Sequence, residues 1–173
     1  MGSLHQLARA SKPQLMRIQG IGEAQASRIL AFLELSRRLQ TPAPDKEVRI
    51  TSPADGANLL MARLRDLDQE ELHIILLDTR NRVLMTQVLY RGSLNTSVVR
   101  IAEVYRTAIE AAAAAIILVH NHPSGDPSPS PEDISLTRQI VSAGELLGIT
   151  LLDHLIIGNG RFTSLKEQGL GFN

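Results

Sequence analysis

The feature that most restricts how this chain can fold is a short apolar run that ends in two histidines. Residues 115–119 are apolar, and His120 and His122 follow with one residue between them, before a loop rich in proline. An apolar run this short, bounded by turn residues, is typical of a buried strand. Side chains two apart on a strand point to the same side. The pattern therefore predicts two imidazoles that can reach one ion.

The loop at residues 123–129 leads into a helix-start signal. Ser130 stands at the cap, Pro131 at the first helical position and Asp133 three residues after the cap, as in a capping box. We expect Asp133 in the first helical turn, close to the end of the strand. Two histidines and one carboxylate with an open fourth position are typical of a catalytic zinc site. Taken singly, each residue also has a structural explanation, as a buried histidine or a helix cap.

These residues carry a family resemblance. The order His-x-His, seven residues, Ser, two residues, Asp resembles the JAMM signature of JAB/MPN domains. A narrower resemblance, to the bacterial RadC family, covers the chain from about residue 11 to its end. The phrases that carry it are His-Asn-His-Pro-Ser-Gly-Asp-Pro at 120–127, Ser-Pro-Glu-Asp at 130–133 and Leu-Leu-Asp-His-Leu-Ile-Ile-Gly at 151–158.

The resemblance implies a fold and a reaction. The fold is α+β, of the JAB/MPN or cytidine-deaminase-like kind, with a curved mixed sheet flanked by helices. The reaction is zinc-dependent hydrolysis of a peptide or isopeptide bond in a protein or peptide substrate. His120, His122 and Asp133 would bind the Zn²⁺, and Ser130 would donate to the oxyanion or hold the water.

JAMM enzymes also place a catalytic Glu well upstream of His-x-His. Matching the family phrase assigns this role to Glu70, with Glu71 as its rival. An acid pair at a strand start is ordinarily solvated, so the assignment depends on the family. Asp153 and His154 lie inside a later predicted strand, where they either orient a metal ligand or serve the structure alone.

The elements around the site follow from periodicity. Ser52 and Pro53 predict a helix that ends near residue 67, and Gly148 ends the helix that starts at Pro131. Two predicted hairpins argue against a purely parallel sheet. The other predictions are strands at 72–78, 83–90, 149–157 and 161–164, turn residues at 92–96 and a helix at 98–114.

The N-terminal segment differs from the rest in charge. Residues 1–40 carry six Lys and Arg against two acids, a net charge of +4, and the remainder carries −4. Helical patterns before Gly20 and after Gly22 predict a helix-hairpin-helix segment over residues 1–40. Such a turn exposes N–H groups that can bind a phosphate, so Gly20, Gly22 and Arg28 are candidate contacts to DNA without base readout. The alternative is a hairpin that only packs or links.

Composition and chain pattern set further limits. Residues 41–49 read as a linker, and the JAB-type domain is expected at 50–173. The chain has no Cys, which excludes disulfides and thiolate zinc ligands. No apolar run approaches the length of a membrane span, so the expectation is a soluble cytoplasmic protein.

Two other function classes remain open. One is a DNA-associated repair accessory whose metal site is structural or vestigial. The other, a metal-dependent nuclease, is disfavoured because two-metal chemistry needs more carboxylates than this pattern supplies.

Overall fold

The computed structural model describes residue 7 and residues 9–40, 48–92 and 99–172, without the side chains of 37–40. The chain forms two compact units, Met1–Ala43 and Pro44–Asn173. Most of the turn predicted at 92–96 and the start of the helix predicted at 98 lie outside the described residues, as does most of the predicted linker. Among the described residues, no helix is both long and apolar enough to span a bilayer.

Within residues 9–40, the first unit forms the helices α1 (Lys12–Met16) and α2 (Glu23–Gln40). Proline stands in the first turn of α1, whose cap backbone N–H bonds to the Gln14 side chain at 2.7 Å. Gly20 adopts a φ of 89° in the connecting turn, a conformation that favours glycine. Two helices and a glycine turn are present, while their assignment as a helix-hairpin-helix segment remains a prediction. A small buried cluster holds the unit together: Ala10, Leu15 and Ala26.

The second unit is built on one five-stranded sheet with the order β2-β1-β3-β4-β5. β3 pairs with β4 in parallel, and every other neighbouring pair is antiparallel. The sheet is therefore mixed, as the resemblance implied. Both β1 and β3 are buried at every position. The strands are β1 (Glu71–Leu77), β2 (Val83–Arg91), β3 (Ala115–Asn121), β4 (Thr150–Gly158) and β5 (Arg161–Ser164).

Helices cover both faces of this sheet. They are α3 (Pro53–Leu64), α4 (Ile101–Glu110) and α5 (Pro131–Leu147). Because strand side chains alternate, Ile116 and Leu118 pack with α4 and α5, whereas Ile117 and Val119 pack with α3. We call these the α5 face and the α3 face. The core is thus two apolar clusters separated by the sheet, and each face has its own helices.

A β-bulge in β4 changes which side chains reach each face. Ile116 is paired with Leu151, but Ile117 is paired with Asp153, so β4 has one extra residue at this point. A one-residue slip exchanges the faces of all later side chains. His154, opposite Leu118, therefore lies on the α5 face.

Most predicted boundaries agree with the structure, and the helix predicted at 98–114 differs most. α4 ends at Glu110, because Ala112 takes a left-handed φ of 50° and the Ala113 N–H bonds to the Ala108 carbonyl at 2.9 Å. Gly148 ends α5 with a φ of 70°, as predicted. α3 ends at Leu64, three residues before its predicted end.

Candidate metal centre

Three predicted ligands meet where β3 ends and α5 begins. His120 lies on the α5 face and is fully buried, while Asp133 occupies the first turn of α5. The Nε2 atoms of His120 and His122 are 3.0 Å apart. Asp133 Oδ1 lies 3.2 Å from His120 Nε2, and its Oδ2 lies 3.5 Å from His122 Nε2. The structure thus brings together the three side chains predicted from spacing.

These separations are near those expected around a small metal ion. Ligand atoms at about 2.0–2.1 Å from a tetrahedral zinc ion lie roughly 3.3 Å from one another. The observed separations run from 3.0 to 3.5 Å, and the two that involve Asp133 are measured from different oxygens of its carboxylate. The spacing of the donor atoms is therefore compatible with a shared ion.

The hydrogen bonding of His122 adds a chemical argument. Its Nδ1 lies 2.8 Å from the Asp126 carbonyl oxygen, which can only accept, so Nδ1 carries a proton. In the neutral ring Nε2 then bears a lone pair, directed at His120 Nε2. The nearby Asp133 carboxylate raises the pKa of His122. The lone pair and the raised pKa both indicate that the space beside His122 Nε2 attracts a cation.

Asp133 is held as a carboxylate by its own helix cap. The backbone N–H and the hydroxyl of Ser130 both donate to Asp133 Oδ2, at 2.8 and 2.6 Å. Burial acts to raise the pKa of Asp133, but its contacts with the His120 and His122 rings and its hydrogen bonds from Ser130 outweigh burial and lower the pKa far below its usual range. Ser130 thus contacts a predicted ligand here. Its predicted contact with an oxyanion stays a prediction and requires the hydroxyl to turn away from Asp133.

Glu70 immediately precedes β1, Glu71 is its first residue, and their carboxylates have different partners. Glu70 Oε1 lies 3.8 Å from His120 Nε2, and Glu70, His120 and His122 form a possible metal-binding group with ligand atoms within 4.8 Å of one another. Asp133 approaches both imidazoles more closely than Glu70 approaches His120, so we retain Asp133 as the third ligand. The Glu71 carboxylate instead contacts His73 Nε2 at 2.8 Å and Arg91 Nε at 3.0 Å. The geometry favours Glu70 for chemistry at this site.

Asn121 fixes the backbone on both sides of Glu70. Its Oδ1 accepts from the Glu71 N–H at 2.8 Å, and its Nδ2 donates to the Gln69 carbonyl at 3.0 Å. The side chain is 2% exposed. Sequence reasoning did not single out Asn121, although it lies between His120 and His122 in the motif.

The loop after His122 is anchored against the end of β4. The His122 N–H bonds to the Ile157 carbonyl at 2.8 Å. A Cβ on Gly158 would lie 2.7–2.8 Å from backbone atoms of Gly125 and Pro127, so only glycine permits this close approach. The contact places the carbonyl of Asp126 against His122.

The two residues left undecided in β4 have different roles. Asp153 accepts from Ser164 Oγ at 2.6 Å and from the His154 N–H at 2.7 Å, and burial raises its pKa. Through these contacts Asp153 stabilises the local structure of β4 and β5. His154 Nε2 instead lies 2.9 Å from His120 Nδ1, and full burial lowers the pKa of His154 to about 3. Of the two, His154 contacts a predicted ligand.

The predicted DNA contacts lie at the turn of the first unit. Gly20 and Arg28 line a cavity of about 410 Å³, and Gly22 immediately precedes α2. Lys12 Nζ pairs with Glu23 Oε1 at 2.8 Å in the first turn of α2. An acid at this helix N-terminus opposes anion binding there, so the geometry alone does not select phosphate.

Comparison with known proteins gives a consistent result. A family model described as a RadC-like JAB domain matches residues 50–170. A UPF0758 protein of Chloroflexus aurantiacus is 53% identical over 171 residues, which cover 99% of this chain and 75% of that protein. One from Roseiflexus castenholzii is 52% identical over 166 residues, 96% of this chain and 71% of that protein. A UPF0758 protein of Methanosarcina mazei is 46% identical over 167 residues, which cover 96% of this chain and 73% of that protein.

Proposed function

Because this chain belongs to the RadC family of JAB-domain proteins, we propose that it is a zinc-dependent hydrolase of the JAMM type that cleaves a peptide or isopeptide bond. One observation carries the proposal. The Nε2 atoms of His120 and His122 and the carboxylate of Asp133 converge with separations of 3.0, 3.2 and 3.5 Å. Two imidazoles and one carboxylate leave a position open for chemistry.

His120, His122 and Asp133 would bind the zinc ion. When bound there, zinc supplies a Lewis acid that lowers the pKa of water toward neutrality and polarises a carbonyl oxygen. Ser130 contributes by orienting the Asp133 carboxylate through two hydrogen bonds.

Glu70 is the proposed general base. Its Oε1 lies 3.8 Å from His120 Nε2, which is near enough for its carboxylate to accept a proton from water in this space. The same group then passes the proton to the leaving amine. The Asn121 amide holds the backbone on both sides of Glu70, so the position of the base does not depend on its side chain alone.

Exposure indicates from which side a substrate approaches. The side chains of Glu70 and His122 are each 17% exposed, whereas those of His120 and Asp133 are 0% and 3% exposed. Of these four side chains, Glu70 and His122 are the more exposed, so a scissile carbonyl would approach the site past them. This arrangement puts the proposed base beside the incoming amide.

The metal is tested by metal analysis of the purified protein. We expect about one zinc per chain, with His122→Ala and Asp133→Ala each removing most of it, because each variant loses one of three protein ligands. Glu71→Gln is the control, since Glu71 contacts His73 and Arg91. Unchanged zinc content in both ligand variants would contradict the assignment.

The chemistry is tested separately from metal binding. Glu70→Gln is expected to keep its zinc and fold while turnover of a peptide or isopeptide library falls by roughly 10² or more, as for a lost general base. Glu71→Gln makes the same charge change at a neighbouring residue that points elsewhere. A silent Glu70→Gln variant beside an inactive Glu71→Gln variant would show that the wrong acid was chosen.

The second candidate is a DNA-associated accessory protein in which the metal site is structural. It is favoured by the cavity that Gly20 and Arg28 line within a segment of net charge +4. Its proposed partner is DNA bound through phosphates, without sequence preference. In that case Glu70→Gln would leave the function intact.

A further inference from the structure

A buried hydrogen-bond relay starts at Nδ1 of His120, the ring nitrogen that does not face the Asp133 carboxylate. His120 Nδ1 is 2.9 Å from His154 Nε2, and His154 Nδ1 is 2.7 Å from Thr137 Oγ1. Thr137 Oγ1 is in turn 2.6 Å from the Asp133 carbonyl oxygen. His120, His154 and Thr137 are all 0% exposed. Groups this deeply buried find their partners within the protein rather than in solvent.

We propose that Thr137 and His154 are positioning residues that hold His120 in the tautomer with its proton on Nδ1, so that Nε2 presents its lone pair to the metal. The presence of a metal rests on the proposed function. The choice of tautomer is argued from the hydrogen bonds of Thr137, His154 and His120 Nδ1. On the other side of the ring, the 3.0 Å contact between His120 Nε2 and His122 Nε2 needs a cation between the two nitrogens, either the metal or a proton.

The direction of the relay is set by its last member. A carbonyl oxygen can only accept, so at 2.6 Å the Thr137 hydroxyl donates its single proton to the Asp133 carbonyl. Thr137 Oγ1 then has only lone pairs to offer His154 Nδ1, which must carry a proton to make the 2.7 Å contact. If Thr137 instead donated its proton to His154, Thr137 Oγ1 would face the Asp133 carbonyl oxygen at 2.6 Å with no proton between them.

The proton on His154 Nδ1 determines in turn which nitrogen of His120 is protonated. A neutral imidazole has one N–H, and in His154 that N–H is at Nδ1. His154 Nε2 therefore accepts from His120 Nδ1 across 2.9 Å. His120 then holds its proton on Nδ1 and its lone pair on Nε2, which is the atom that faces His122 and Asp133.

Both proposed histidine ligands are thus oriented by backbone carbonyls. His122 donates directly to the Asp126 carbonyl, and His120 does so through two side chains. The relay ends at Asp133, whose carboxylate is the third proposed ligand. The first turn of α5 therefore fixes two ligands at once. Orienting partners of this kind typically contribute about 10–100-fold to metal affinity.

The test uses Thr137→Val, which keeps the side-chain shape and removes the hydroxyl, and Thr137→Ser, which restores it. Ser142→Ala removes an exposed hydroxyl from the same helix and is the matched control. Two measurements are made on each of these proteins. Long-range ¹H–¹⁵N spectra of the zinc-free protein assign the protonated nitrogen of each histidine, and competition with a chelator gives the zinc Kd.

We expect His154 to carry its proton on Nδ1 in the wild type, Thr137→Ser and Ser142→Ala. Thr137→Val should lose that preference and bind zinc about 10–100-fold more weakly, with Thr137→Ser close to the wild type. A purely structural threonine would change the melting temperature without changing the tautomer of His154.

Two results would overturn the inference. One is a wild-type spectrum in which His154 is protonated on Nε2. This measurement does not depend on the folding of any variant. The other is a Thr137→Val protein that keeps both the Nδ1 proton and the wild-type zinc Kd. Wild-type protein that bound no zinc would instead count against the proposed function, while the zinc-free spectra would still decide the tautomer.

Discussion

At the level of single residues, the Asn121 side chain connects strand pairing to the proposed chemistry. Replacing it with Ala leaves the Glu71 N–H and the Gln69 carbonyl without their partner. We expect Asn121→Ala to reduce turnover by about 10–10² through misplacement of Glu70, with zinc content unchanged. Loss of buried hydrogen bonds should also lower the free energy of unfolding by about 1–3 kcal/mol.

A double variant shows whether Asn121 acts through Glu70. If it does, Asn121→Ala combined with Glu70→Gln will be no slower than Glu70→Gln alone, because groups that act as a unit are not additive. Independent effects that multiply in the double variant would assign Asn121 another role.

The sequence predicted some residues of the candidate site and not others. The two histidines, Ser130 and Asp133 were predicted from spacing, since a strand end and a helix cap define local geometry. The choice between Glu70 and Glu71 needed the structure, in which Glu70 approaches His120 and Glu71 contacts His73. Thr137 carried no signal of its own, because its partner His154 lies 17 residues away and meets it only in the folded sheet.

At the level of elements, the junction between β4 and the loop after His122 determines one ligand. We expect Gly158→Ala to push the loop backbone away, since the new Cβ would meet Gly125 and Pro127 at 2.7–2.8 Å. The Asp126 carbonyl would then leave His122 Nδ1, and zinc affinity should fall by about tenfold or more. Competition with a chelator measures this directly.

Gly160→Ala is the control in the same turn. Its φ of 73° strains an alanine, but a Cβ there meets nothing within 4 Å. It should cost about 1 kcal/mol or more of stability and leave the zinc Kd unchanged. Equal zinc affinity in Gly158→Ala and Gly160→Ala would show that the loop adapts without moving its carbonyl.

Elements were predictable where capping and alternation agree. Ser52 and Ser130 cap α3 and α5 as the sequence indicated. The bulge in β4 was not predictable, because this strand is buried at most positions and shows no alternation from which a one-residue slip can be read. That slip decides which face His154 occupies, so the role of His154 stayed open until the fold was known.

For the whole molecule, the question is what the first unit binds. If it contacts DNA through phosphates, affinity should fall steeply with salt, by a log–log slope of about 0.9 for each phosphate neutralised, and depend little on sequence. Gly22→Val suits the test because a Cβ at Gly22 meets nothing within 4 Å, so weaker binding would reflect the approach of phosphate rather than a packing clash.

Two further variants complete the comparison. Arg28→Ala should weaken binding to all duplexes equally and reduce the salt slope by about one unit. Arg80→Ala removes the same charge from an exposed position in the second unit and should have no effect. Binding that is unchanged in Gly22→Val and Arg28→Ala, or absent at low salt, would leave the glycine turn as a packing element.

The burial of Tyr105 between α4 and α5 has an optical consequence. Its hydroxyl donates to the Ile140 carbonyl at 2.6 Å. The chain has two tyrosines and no tryptophan, and Tyr90 and Tyr105 both belong to the second unit. Intrinsic fluorescence therefore reports on that unit alone, while far-ultraviolet circular dichroism records helices of both. Transitions that fail to coincide in the two signals would show that the units unfold separately.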